Sequence, residues 1–322
     1  MIEDVLTKLD NNEYCELDIN ELRLLYEIDE VSNKSLINYI EYRDCYDDFC
    51  KMFGYSHVAR TPDEITIDTV AYIGNLFIDR KMPTYNLRYV VGSLSIAIKE
   101  NLENLENVYN YLFISDNEYY KILSNLKMVN YLCVSSLEKN VDLSLIEKID
   151  TLDINVNSLK NNKYPIILNN LIINVRDNNY FFPNNIKNLD IRYLSDAKGI
   201  IFPSSLESLK ISCLESAKGL VLPSNLKELY LHQLKDTKYL RLNDGLEILE
   251  LNNIKKLDGL ILPDSIKKLD IRNVLNLDDF VRPKSIEKLH INNVEMAKKY
   301  NLNDIDILIY ERIETNKTKK LK

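Results

Sequence analysis

PNNIKNLDIRYLSDAKGIIF (183–202), PSSLESLKISCLESAKGLVL (203–222), PSNLKELYLHQLKDTKYLRL (223–242), NDGLEILELNNIKKLDGLIL (243–262), PDSIKKLDIRNVLNLDDFVR (263–282) and PKSIEKLHINNVEMAKKYNL (283–302) follow one another without a gap. Each is twenty residues long, and block positions 4, 7, 9 and 12 are aliphatic in every one, position 7 always as leucine, from Leu189 to Leu289. Apolar spacings of three and two, with proline at five of the six block starts, do not suit a continuous amphipathic helix. One coil per block suits them. The Leu-x-Ile/Leu pair at positions 7 and 9 then forms a short strand, both apolar chains inward and the residue between them outward. Stacked coils pair these strands into a parallel sheet and pile the leucines into one core.

A second signature, glycine then an apolar pair, closes the coil at Gly199–Phe202, Gly219–Leu222 and Gly259–Leu262. Glycine there suits a positive φ where the chain reverses. A coil of this length leaves no room for a helix on its outer side, so that wall is expected to be extended.

Upstream, Leu112/Ile114, Leu132/Val134, Leu152/Ile154 and Leu171/Ile173 keep nearly the same period, which places the start of the array near residue 105 and gives about ten coils. The expected fold is an α/β repeat, a leucine-rich-repeat solenoid with a parallel concave sheet and an extended convex side. It is expected to comprise a mainly helical cap or module at 1–104, the solenoid at 105–314, with a degenerate closing coil at 304–313, and a basic tail at 315–322. The helical reading of the first region rests on Asp18-x-x-Glu21 and on Thr61-Pro62-Asp63-Glu64, both of which look like helix starts. Thr69–Phe77 (TVAYIGNLF) reads equally as strand.

Residues 1–90 hold 18 Asp or Glu against 9 Lys or Arg, leaving 31 against 32 in the rest of a chain of net charge −8. No basic stripe is available to neutralise phosphates, which argues against nucleic acid as the ligand. The first residues carry no signal-peptide pattern, and no apolar run approaches a membrane span, so a soluble cytoplasmic protein without membrane partners is expected, with export independent of a signal peptide left open. Cys15, Cys45, Cys50, Cys133 and Cys213 form neither pairs nor a zinc pattern and read as reduced thiols.

The twenty-residue blocks with recurring Leu-Pro resemble the leucine-rich repeats of secreted bacterial effector proteins, some of which add a cysteine-dependent ubiquitin-ligase domain. The string Leu214–Pro223 (LESAKGLVLP) with the SNLKELYL after it is similar to repeats in uncharacterised bacterial proteins, whose front regions carry segments like ELRLLYEID (21–29) and TVAYIGNLF. Where a Gly-rich stretch often follows the first of these, the chain has VSNKSLINYI. With about nine residues after the closing coil, no ligase domain is expected at that end, and the resemblance implies the solenoid and its binding role alone.

Outward positions 6, 8 and 10 pave the concave sheet, and columns 8 and 10 supply the expected contacts. From there we expect a protein to be held by Asp190, Arg192, Lys210, Tyr230, His232, Glu250, Asn252, Asp270, Arg272, His290 and Asn292, with Tyr230 as anchor and Arg192 and Arg272 as planar donors. The competing reading of LDIR at 189–192 and 269–272 is an ion pair two residues apart on a solvated sheet. Position 19 offers another surface, in which Ile201, Val221, Ile261 and Val281 form a convex apolar stripe interrupted by Arg241. Self-association there is one alternative function, and an effector or enzymatic module in residues 1–100, around Cys50 and His57, is another. Neither a metal nor a cofactor is expected, and no catalytic residues: His232 and His290 stand three coils apart, about 14 Å, and no nucleotide-binding or nucleophile motif occurs. A non-enzymatic scaffold for protein–protein interaction is the leading expectation.

Overall fold

The structure, a computed structural model, describes residues 58–309 apart from short stretches, the longest at 115–122, 157–162, 175–180 and 292–297. Two compact units are present, one of residues 1–113 and 118–130, the other of 114–117 and 131–322.

In the second unit strands β7 (Met128–Leu137, of which residues from Tyr131 belong to this unit), β8 (Lys148–Val156), β9 (Ile167–Ile173), β10 (Asn188–Ile191), β11 (Ser208–Ile211), β12 (Glu228–Leu231), β13 (Ile248–Leu251), β14 (Lys268–Asp270), β15 (Lys288–Ile291) and β16 (Asp306–Ile309) lie side by side in sequence order. Pairing is parallel, and each inward leucine faces its counterpart one coil on, as in Leu209↔Leu229 and Leu229↔Leu249. Leu209, Leu229, Leu249, Leu269 and Leu289 are all fully buried. Position 5 adds a regular kink before each strand, where two successive amides share one carbonyl: Glu207 N and Ser208 N both donate to Lys187 O, at 2.8 and 3.0 Å.

Each coil reverses twice. The proline turn closes with a bond from position 4 to position 1, as in Leu206 N to Pro203 O (3.2 Å), and the glycine turn with one from position 18 to position 15, as in Leu220 N to Ala217 O (3.0 Å). Asn243 replaces proline in the one coil whose position 3 is Gly245. In the coils of Asn185, Ser205, Asn225 and Ser265 the position-3 side chain ties neighbouring coils together, for example Ser265 Oγ donating to Leu246 O at 2.6 Å, and here Asn243 Nδ2 takes that role, donating to Leu226 O at 2.7 Å.

Gly199, Gly219 and Gly259 have φ of +79°, +80° and +70°. A side chain at Gly219 would also bring its Cβ within 3.1 Å of Lys198 Cα, whereas one at Gly199 would meet nothing within 4 Å. Gly199→Ala is therefore expected to cost about 1–2 kcal/mol from the left-handed backbone alone, and Gly219→Ala more. Urea unfolding of the two variants side by side checks the order.

The helical reading of 1–104 does not survive in its described part. Residues 58–104 contribute β1 (Val58–Ala59), β2 (Ala71–Ile73), β3 (Leu76–Ile78), β4 (Tyr89–Val91) and β5 (Leu94–Ile96), which build the first unit with β6 (Asn107–Ile114). They pair in parallel at steps of eighteen residues, Ala71↔Tyr89, Tyr89↔Asn107, Leu76↔Leu94 and Leu94↔Leu112, so coils are already stacked well before residue 105. TVAYIGNLF resolves as β2 and β3. The Thr61 start signal is realised only as a single 3-10 turn, Pro62–Glu64, in which the Glu64 carboxylate accepts from Arg60 N (2.7 Å) and Thr61 N (3.3 Å). A further turn, Thr69 N to Thr66 O at 3.1 Å, then sends the chain into β2. Asp18, Glu21, Cys15, Cys45, Cys50, His57 and the tail lie outside the described residues, while the closing coil is represented by β16, paired in parallel with β15.

Candidate functional site

The outward face of β8–β13 carries a shallow groove of about 610 Å³. It is lined along position 8 by Ile172, Asp190, Lys210, Tyr230 and Glu250, along position 6 by Thr151, Asn170, Asn188, Ser208 and Glu228, and at position 10 by His232. Adjacent strands stand about 4.8 Å apart, so every one of these side chains meets a neighbour one coil away.

Contacts between coils and within them fix the groove's walls. Lys210 Nζ lies 3.3 Å from the Asp190 carboxylate. Glu228 accepts from Ser208 Oγ (2.9 Å) and from the Tyr230 hydroxyl (3.1 Å), while Glu250 accepts from Asn252 Nδ2 (2.6 Å) and stands 3.6 Å from His232 Nε2. Tyr230 is thus a half-buried ring whose hydroxyl is already held. Burial, then the charge and hydrogen bond of Glu228, then Glu250, push its pKa up to about 12, so the groove carries a neutral phenol at any ordinary pH.

Of the residues named from the sequence, Asp190, Lys210, Tyr230, His232 and Glu250 line the groove; Asn252, Asp270, Arg272 and His290 do not, and Asn292 lies outside the described residues. Arg192 is exposed beside it, with Nη2 3.9 Å from Asp153. Arg272 is not a spare donor. Its guanidinium grips Asp270 through Nε at 3.0 Å and through Nη2. The two LDIR stretches accordingly differ. Only the second makes the pair two residues apart; in the first, Asp190 turns to Lys210 and Arg192 reaches towards Asp153.

Glu228 and the rest of the position-6 column, outward by alternation along the strand, were not among the residues expected to hold the partner. Asp153 was missing too. Its buried carboxylate accepts from Asn174 Nδ2 (2.6 Å) and the Tyr131 hydroxyl (3.2 Å), and burial followed by the Asp153 charge drives the Tyr131 pKa up to about 12. Among the described residues no group of three potential metal ligands is assembled, and no helix is long and apolar enough to cross a membrane.

No family model matches the chain, and no curated protein matches it. Among solved structures the chain is similar to CroV588, described as a novel circular leucine-rich-repeat protein, at 17% identity and a TM-score of 0.46. That likeness covers 73% of this chain and 42% of the other, so the chain spans less than half of that protein's length.

Proposed function

We propose that the second unit is a non-catalytic binding scaffold that holds a protein in the groove over β8–β13. The observation that carries this reading is the groove itself, a continuous strip in which an ion pair between coils holds Asp190, and hydrogen bonds within and between coils hold Glu228, Tyr230 and Glu250, before any ligand arrives. Preorganised side chains lose little entropy on binding, and a half-buried tyrosine is a residue type that concentrates interface energy. Three carboxylates against Lys210 favour a segment presenting Lys or Arg.

Affinity capture with the full chain, followed by titration of the captured protein, tests the reading. Tyr230→Ala combined with Glu250→Ala is expected to weaken binding by about 30-fold or more, the effect of losing a hot spot, and added salt to weaken it further. Ile201→Asp, on the other side of the coils, is expected to change nothing. Equal binding by wild type and the double variant removes the groove from consideration.

A further inference from the structure

The return walls of five successive coils in the second unit expose one apolar column, Ile201 (87%), Val221 (71%), Ile261 (86%) and Val281 (75%), broken at its centre by Arg241. Three residues earlier in each coil runs a second exposed column, Lys198, Lys218, Lys238, Asp258 and Asp278. Its charges are segregated, with the cations at one end and the anions at the other, unlike the alternation at position 5, where Lys187, Glu207, Lys227, Glu247 and Lys267 neutralise one another along the stack.

We propose that this wall binds a second copy of the chain, face to face and antiparallel. A two-fold axis lying in the interface, across the stacking direction and through the coil of Arg241, leaves each column opposite itself with its order reversed. Ile201 then meets Val281 of the other copy, Val221 meets Ile261, Lys198 meets Asp278 and Lys218 meets Asp258. A parallel arrangement sets lysine against lysine and aspartate against aspartate, so charge selects the antiparallel one.

The centre, where like residues meet, is accommodated. Arg241 does not project, since its Nη1 donates to its own coil's Lys238 O and Leu240 O at 3.3 and 3.1 Å, and Lys238 Nζ sits 5.1 Å from the ring centre of Tyr239. Asp278 is partly engaged by Lys299 (3.3 Å), whereas Lys218 and Asp258 make no ion pair within the chain among the described residues. Lys218–Asp258 is therefore the pair that sets the register. Four coil steps by four residues give a patch of about 19 Å by about 13 Å, well short of the ~800 Å² per partner of a stable complex, so the dimer is weak and reversible.

Sedimentation equilibrium of the full chain from about 1 μM to about 1 mM tests the proposal. The expected result is a weight-average mass rising from monomer towards dimer. Lys218→Asp alone and Asp258→Lys alone each reduce association by about 10-fold or more, and the double exchange restores it, because opposite charges again face each other. Asp258 has φ +44°, which lysine tolerates less well than aspartate, so each variant's fold is checked by circular dichroism. Val221→Asp, at an exposed site free of that constraint, is expected to abolish the dimer. A monomer mass at every concentration, a dimer indifferent to Val221→Asp, or correctly folded charge variants whose double exchange fails to recover association would each overturn it.

Discussion

Leu249→Ala is expected to lower the free energy of unfolding by about 3 kcal/mol, within the 2–5 kcal/mol range of buried leucine truncations. Leu249 is fully buried, and through the register of β12, β13 and β14 it is flanked by Leu229 and Leu269 in the same column. Those neighbours cannot close over the space, because backbone ladders on both sides hold the coils about 4.8 Å apart. The cavity therefore persists, and its cost adds to the lost transfer energy of the side chain. Ile261→Ala, at a site 86% exposed, is the control and is expected to stay within about 0.5 kcal/mol. Urea unfolding measures both, and amide exchange is expected to accelerate most in β12–β14, since each coil of a stacked array touches only its neighbours. A loss below about 1 kcal/mol at Leu249 would mean that the leucine column does not hold the coils together.

The later coils were legible because one period repeats without insertions, so mixed spacings of three and two could be tested against a helix and rejected six times over. The earlier coils escaped for a physical reason. Their buried residues run Thr69, Tyr72, Leu76 and then Leu87, Val90, Leu94, spacings of three and four that also fit one face of a helix. An even spacing of four also suits a strand, where residues two apart share a face, so Val90 and Leu94 both point inward from consecutive short strands. Spacing does not separate these cases. Thr61-Pro62-Asp63-Glu64 tipped the balance the wrong way, because a capping arrangement forms equally well on one 3-10 turn.

For the candidate site, alternation along the strand identified which residues face outward, and the groove does contain Tyr230, Lys210, Asp190 and Glu250. Its position along the stack was not legible. That depends partly on which side chains the neighbouring coils tie down, and partners such as Ser208 for Glu228 and Lys210 for Asp190 lie twenty residues away in sequence. Thr237 shows the same limit in the core. It occupies an inward position held by Ala197, Ala217 or Leu257 in other coils, and its hydroxyl donates to Leu257 O of the next coil, a satisfaction no local reading reveals.

The two LDIR stretches lead to the sharpest energetic contrast. The Asp270 side chain is only 2% exposed, receives Arg272 through two nitrogens, and lies 3.0 Å from His290 Nδ1. Burial pushes the Asp270 carboxyl up, but the hydrogen bonds from Arg272 and His290, with the Arg272 charge, outweigh it and leave the folded pKa below its ordinary value. The ionised carboxylate only accepts, so Nδ1 of His290 is the donor. Asp270→Ala takes this acceptor from two mostly buried groups and is expected to cost about 3–5 kcal/mol in urea unfolding. A carboxyl with a depressed folded pKa contributes its full stabilisation above the unfolded value of about 3.9 and loses it as pH falls through the folded value. Wild type is therefore expected to lose more stability between about pH 5 and pH 3 than Asp270→Asn, which has no such proton to take up. Asp190 in the first LDIR is the internal comparison. Its partner Lys210 is 42% exposed at 3.3 Å, a pair open to water and salt, so Asp190→Ala is expected to cost less than about 1 kcal/mol. Equal losses at the two aspartates would show that the tetrapeptide, not the coil stacked above it, decides what the pair contributes.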